Sequence, residues 1–287
     1  PASLTGLFGF KPSRGRSKGM TVKDDAADIA VDHVLTRSVR DSAFALLRLQ
    51  QAGAEGLAPL VPAGQGGPLT IGVLTATANG TVPDAEVMAA MAGARALLTR
   101  MGHKVVDARW SFSPSDFARD FTDFWAMGAA RAAGEVRSKL GADAAARLEP
   151  LTLHLAARGA AIAQADARAI IGRLFGYREA YNASFAGMDV LMTPVLTRHA
   201  IPIGRLDPAA DPLRTMADMM DLVAYTPVQN VTGAPAMSVP LHWTQTGLPV
   251  GVHFAGKRGD DAKLLSLAFA LEAAAPWAQR KPPIWFG

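Results

Sequence analysis

The 287 residues carry 29 Lys and Arg against 25 Asp and Glu, a net charge of +4, and 49% of them are hydrophobic, which excludes a disordered chain and is enough for one or two packed domains. The absence of Cys excludes a disulfide framework, a thiolate nucleophile and a Cys-based zinc site. The basic residues are scattered, with no aromatic stripe among Lys11, Arg14, Arg16 and Lys18, and no apolar run reaches the roughly 18 residues of a membrane span; neither a nucleic-acid groove nor a membrane anchor is expected.

The first stretch, Pro1 to Arg16, reads as a turn-rich, buried segment. Gly6, Gly9 and Gly15 permit close backbone contact, Pro12 fixes a turn, and Leu4, Leu7, Phe8 and Phe10 are apolar enough to be covered by something that precedes them. A polar connection follows over Ser17 to Asp28, then an extended approach from Val31 to Arg37. Ser38-Val39-Arg40-Asp41 is a capping box opening a helix with Val39, Ala43, Leu46 and Leu47 on one stripe. Residues 53–68, rich in Gly, Ala and Pro, read as a surface loop.

Leu69 to Thr75 is a strand pattern, and Pro83 is expected in the first turn of the helix that follows, with Asp84 and Glu86 at its positive end. Gly102 stops that helix and Lys104 to Ala108 is a second strand. Strand, helix and strand with short joints predict a βαβ unit and a sheet that is at least partly parallel. From Ser113 to about Ala186 the pattern is helical: Phe117, Phe121, Phe124 and Trp125 share one face, and Asp166 is expected to cap a later helix carrying Ile170, Leu174, Tyr177 and Tyr181. Asp189 to Thr193 is an apolar strand stopped by Pro194. Asp211-Pro212 opens a Met-rich helix with Leu213, Met216, Met220 and Val223 on one face. Tyr225 and Asn230 flank a Pro turn. Strands over Ala236 to Leu241 and Val250 to Ala255 are joined by a turn at Thr244 to Gly247, and Asp260 or Asp261 caps a final helix.

Three of these segments carry a resemblance. Pro1, Ala2, Gly6, Leu7, Gly9, Lys11, Pro12, Ser13, Gly15 and Arg16 are similar to the segment that follows the Gly-Gly-Ser nucleophile loop in the amidase signature family. Leu35-Thr36-Arg37-Ser38-Val39-Arg40-Asp41 resembles a helix start in that family, and the longer run His33-Val34-Leu35-Thr36-Arg37-Ser38-Val39-Arg40-Asp41 looks most like the branch that includes the cyclic-dimer nylon-oligomer hydrolases. Tyr225 to Pro240, with Asn230, Gly233, Pro235, Ala236, Ser238 and Pro240, and then Gly247-Leu248-Pro249-Val250-Gly251, resemble a third and fourth motif in the same order.

The resemblance implies an α/β fold, a mixed central sheet with helices on both faces, in one amidase domain over 1–287. It implies hydrolysis of a small-molecule amide by a Lys, a bridging Ser and a Ser nucleophile, through an acyl-enzyme and without a cofactor. The nucleophile would lie a few residues upstream of Pro1, so no catalytic residue is expected within the chain. Lys11 belongs to the Lys-Pro-x-x-Gly-Arg scaffold and is not carried over as the base. The N-terminal portion of the same amidase is then the expected partner. A homodimer stays open, and a cytoplasmic location is the expectation. The alternative is a non-catalytic amidase-like binding or assembly subunit. An isolated copy would be expected to expose Leu4 to Phe10.

Other constellations are weaker. Gly251 to Lys257 matches Gly-x4-Gly-Lys, but Arg258 follows where Mg²⁺ ligation needs Ser or Thr. There is no Gly-x-Ser-x-Gly or Ser-x-x-Lys, and the six His occur singly, without metal spacing, as surface or satisfied core residues. Asp24-Asp25 and Asp260-Asp261 sit in turn-like contexts expected to be solvated. The substrate-binding candidates are Trp125, whose ring either faces an amide or is simply core, and Tyr225 and Asn230. The Asn230 carboxamide offers both donor and acceptor to an amide, or else braces its loop.

Overall fold

The computed structural model describes residues 1–17, 29–51, 67–77, 80–207, 211–282 and 284. Lys18, Asp24, Asp25 and most of the loops expected over 17–28 and 53–68 lie outside the described residues. Among those described, one sheet holds β1 (Phe8–Lys11), β2 (Leu35–Thr36), β3 (Thr70–Val73), β4 (Lys104–Asp107), β5 (Val190–Pro194), β6 (Ala236–Trp243) and β7 (Pro249–Ala255), in the order β2-β1-β6-β7-β5-β3-β4. β3 pairs in parallel with both β4 and β5, and the other pairs are antiparallel. The sheet is therefore mixed, as expected, with the βαβ unit at one end.

The helices are α1 (Ala2–Thr5), α2 (Val39–Leu49), α3 (Ala85–Arg100), α4 (Pro114–Leu140), α5 (Ala142–Ala145), α6 (Pro150–Ala160), α7 (Gln164–Ala183), α8 (Pro212–Leu222), α9 (Pro227–Thr232) and α10 (Asp261–Ala274). Side chains alternate across a strand, so each strand feeds two layers. Phe8, Phe10, Val190, Met192, Met237, Val239, Val252 and Phe254 point to one face and pack with α2, α3 and α10. Leu191 belongs to the opposite layer, with Phe117 of α4, Leu174 and Tyr181 of α7, and Val228 and Val231 of α9. A third cluster joins α4 and α6 through Ala126, Leu151 and Leu155, with Trp125, Met216 and Met219 against it.

Local signals worked where the cap is local. The Ser38 hydroxyl accepts from Asp41 N at 3.1 Å, and Asp84 and Ser113 cap α3 and α4 in the same way. Several expectations fail for tertiary reasons. Pro83 lies outside α3, because Asp84 is its N-cap. Asp166 is inside the first turn of α7, whose N-cap is Ala163. β5 ends at Pro194, as expected, but Pro194 is its last residue and pairs opposite Val252. Leu213 is largely exposed, and α8 buries Thr215 and Leu222. The Pro turn at Pro227 is the first turn of helix α9. Phe8 and Phe10 are buried by the chain's own core, with Phe8 stacked 6.4 Å from Trp277, so no upstream segment is needed to cover them and they are not exposed here.

The α4–α6 contact is close enough to be selective. A Cβ on Gly159 would stand 2.0 Å from the Ala126 carbonyl oxygen. Gly159→Ala is therefore expected to force the two helices apart and to cost about 1–3 kcal/mol. A urea titration showing a lower midpoint with an unchanged slope checks this; an unchanged midpoint refutes it.

Candidate active site

The stretch after Pro1 is held by buried charge. β1 leads into Pro12–Ser17, all buried, and this turn lies against the start of α10. Asp261, fully buried, accepts from Ser13 N at 2.8 Å and from Ser13 Oγ at 2.5 Å. Arg16 approaches the same carboxylate with Nε at 3.1 Å and Nη2 at 3.2 Å. Ser13 Oγ in turn accepts from Gly259 N at 2.9 Å. Asp261 is thus neither a solvated turn residue nor a local cap, because its lone pairs are spent on a partner 248 residues away. Arg14, 1% exposed, donates to the carbonyls of Asn230 and Val231 at the end of α9. Its backbone N–H reaches Gly233 O at 3.0 Å, and Gly233 takes φ 73°, a left-handed conformation that closes α9. Two motifs far apart in sequence, Pro1–Arg16 and Tyr225–Pro240, are therefore one structural unit.

The sheet face opposite the large apolar core carries a polar row. Gly9, Ser238, His253 and Thr193 are register partners across β1, β6, β7 and β5. Gly9 and Gly251 let α1 approach: a Cβ on Gly9 would meet Ala2 at 2.7 Å, and one on Gly251 would meet Ser3 at 2.9 Å. Ser3 Oγ accepts from Gly251 N at 2.9 Å. Thr193 Oγ1 donates to Pro194 O at 2.8 Å and lies 2.9 Å from His253 Nδ1. Which of the two donates follows the tautomer of the ring. Burial, aided by the nearby Lys11 charge, pushes the His253 imidazole down to about 4. Burial also pushes the Lys11 ammonium down to about 7, against the pull of Asp261 and with a further push from Arg14. The Lys11 amine donates to Pro12 O at 3.1 Å.

The three sequence candidates fall in different surroundings. Trp125 packs in the α4–α6–α8 cluster. Tyr225 is buried in the layer with α7 and α9, and its hydroxyl donates to Thr75 O at 2.6 Å. Asn230, on α9, donates from Nδ2 to Ile29 O at 3.0 Å. Tyr225 and Asn230 belong to one segment, whereas Trp125 is in a separate cluster. The sequence reading passed over His253, Ser238, Thr193 and Asp261, because only strand register and chain reversal bring them together. A surface cleft of about 530 Å³ at the ends of β3 and β4 is lined by Leu74, Met91, Arg95 and Arg109. Among the described residues no group of His, Asp and Glu is arranged to hold a metal ion, and no helix is long and apolar enough to cross a membrane.

Residues 1–265 match the Amidase family model. The chain belongs to the amidase signature family. The chain is 36% identical over 284 residues to a putative amidase AmiC of Mycobacterium leprae, covering 97% of the chain and 60% of that relative. It is 31% identical over 307 residues to the 6-aminohexanoate-cyclic-dimer hydrolase of Paenarthrobacter ureafaciens, covering 99% of the chain and 62% of that enzyme. A solved 6-aminohexanoate cyclic dimer hydrolase superposes with a TM-score of 0.83 at 28% identity, over 99% of the chain and 63% of the enzyme. A bacterial aryl acylamidase shares the fold, with a TM-score of 0.78. The chain thus spans about 60% of the length of the curated relatives it matches.

Two outcomes follow from the buried groups. Asp261→Asn removes the buried carboxylate charge that faces Arg16 and is expected to cost about 3–5 kcal/mol in chemical denaturation; a cost near zero would show that the pair does not hold the turn. His253 has a folded value below its unfolded one, so the unfolded chain binds the extra proton first as pH falls below 6.5. Its contribution is complete above 6.5 and is lost as pH falls toward about 4. The parent should lose roughly 2 kcal/mol more than His253→Gln between pH 7 and 4.5, read from urea midpoints.

Proposed function

We propose that this chain is the C-terminal portion of an acyl-enzyme amidase, supplying the scaffold and part of the substrate pocket. In this reading the Lys base, bridging Ser and Ser nucleophile are contributed by sequence upstream of Pro1. The observation that carries it is the joint one at the chain's start: the family match begins at residue 1, while the chain spans only about 60% of its relatives' length. The anchored turn supports it physically. Arg14, Arg16 and Asp261 fix the turn after β1 to α9 and α10, and Ser3 of α1 accepts from Gly251 N of β7, so the start of the chain is a rigid platform.

The chemistry would run as follows. Lys accepts a proton relayed through the bridging Ser as the nucleophile Oγ attacks the amide carbonyl. The amine leaves with a proton, and water then hydrolyses the acyl-enzyme, releasing the acid and restoring the Ser hydroxyl. Backbone amides around the nucleophile would stabilise the oxyanion, each donor being worth about 2.7–4 kcal/mol of barrier. We assign Trp125, Tyr225 and Asn230 to the substrate pocket, which must then extend from α9 across to α4. The substrate is a small-molecule amide. The partner is the N-terminal portion of the same amidase, whether joined or separate.

The test compares the 287-residue chain with the polypeptide that continues upstream of Pro1, using p-nitroanilide amides and a fluorophosphonate probe for reactive serine. The longer polypeptide should release nitroaniline and take up the probe, and the 287-residue chain should do neither. Amide hydrolysis by the 287-residue chain alone, or none by the longer polypeptide, would overturn the proposal.

A further inference from the structure

The cleft at the ends of β3 and β4 is made by the direction of the chain. β3 and β4 are parallel neighbours, so both end on the same side of the sheet. The chain leaving β3 runs into α3, whose Val87, Ala90 and Met91 pack on the face shared with α2 and α10. The chain leaving β4 goes the other way, through Trp110 and Phe112 into α4 on the face shared with α7 and α9. Adjacent parallel strands whose continuations part to opposite faces leave a gap beyond their carboxyl ends, the place where open α/β sheets take ligands. Here that gap is the cleft of about 530 Å³, inside the roughly 300–1,000 Å³ usual for a small-molecule site.

The walls are fixed from behind. Thr75 O accepts from the Tyr225 hydroxyl at 2.6 Å, Leu74 N donates to Met192 O at 3.0 Å, and Ala108 N donates to Val73 O at 2.8 Å. The lining is apolar at Leu74, Met88 and Met91, and Met88 is 39% exposed there. Three charges stand around it. Arg95 Nη1 reaches Asp107 Oδ1 at 3.0 Å, so those two answer each other. Arg109 has no ion pair or hydrogen bond among the described residues, which leaves one uncompensated positive charge beside an apolar surface. The strand ends Leu74-Thr75-Ala76 and Asp107-Ala108-Arg109 contain no glycine, so the close backbone cradle of a phosphate site is missing. A guanidinium matches a planar carboxylate with two parallel hydrogen bonds.

We propose that this cleft binds a small monocarboxylate with an apolar body, its carboxylate on Arg109 and its hydrocarbon against Met88 and Met91. One free cation fits one negative charge, and the thioether side chains adapt to the shape of the body and favour an aromatic ring. The site goes beyond the reading of the chain as part of an amidase and stands whether or not that reading does.

The test titrates sodium 3-phenylpropanoate into the 287-residue chain and into the polypeptide that continues upstream of Pro1, both carrying ¹³C-methyl methionine. The Met88 and Met91 methyl signals should move saturably in both, shifted by the ring. Acetate, 3-phenylpropanol and 3-phenylpropylammonium, at the same ionic strength, should each bind at least about tenfold more weakly, and Arg109→Gln should weaken 3-phenylpropanoate by about the same factor. Ala92→Phe, at an exposed position of α3 lining the cleft, should fill it and abolish the response, and it serves if Arg109→Gln does not fold. Unmoved Met88 and Met91 signals, an equal response to the alcohol, or undiminished binding by Arg109→Gln overturns the proposal. So does a response of the 287-residue chain that the longer polypeptide lacks, because upstream sequence then covers the cleft. None of these readouts requires either polypeptide to hydrolyse an amide, so the failure of the amidase reading and the failure of this site are told apart.

Discussion

The Asp261 carboxylate is the constraint on which the rest depends. It sits fully buried at the start of α10 and takes Ser13 N, Ser13 Oγ and the Arg16 guanidinium. A lone carboxylate in that position would be untenable, and so would a lone Arg16. Together they hold, and they join the beginning of the chain to its last helix. Because Arg14 between them caps α9 through Asn230 and Val231, the same turn fixes the position of the segment that leads into β6. β1 then has one register against β6, and the row Gly9, Ser238, His253, Thr193 follows from it.

The two sheet faces do different work. One is lined by Phe, Val and Met and is sealed by α2, α3 and α10. It supplies the bulk of the apolar burial. The other is thin near α1, where glycines admit a four-residue helix, and thick farther along, where α4, α7 and α9 cover it. In the thick part Asp120 ties α4 to α7. Burial alone would raise its carboxyl, but Arg173, in a two-pronged contact at 2.8 and 2.9 Å, and the Tyr177 hydroxyl at 2.9 Å hold it below the usual range. The polar strip at the thin part has no such partner set for Ser238 Oγ among the described residues.

The two polar regions differ in how their groups are matched. At Asp261 and Asp120 the charged groups are matched within the chain, and they are structural. Along the polar row Lys11 and His253 are both pushed toward their neutral forms by burial, and His253 pairs with Thr193.

The sequence by itself determined the features that rest on neighbours in the chain. The Ser38 cap, the stripe Ile170, Leu174, Tyr177 and Tyr181, the βαβ unit around α3 and the turn at Gly247 all appear where the pattern places them, and the motifs in Pro1–Arg16 and Tyr225–Pro240 identified the family. Tertiary structure decided what depends on partners hundreds of residues apart. Asp261 pairs with Ser13 and Arg16 where local rules make it a cap, and Phe8 is covered by Trp277 where local rules leave it waiting for a lid. His253 reads as one more isolated histidine until β5, β6 and β7 are in register, because a strand's side-chain alternation gives two possible faces and only pairing chooses between them.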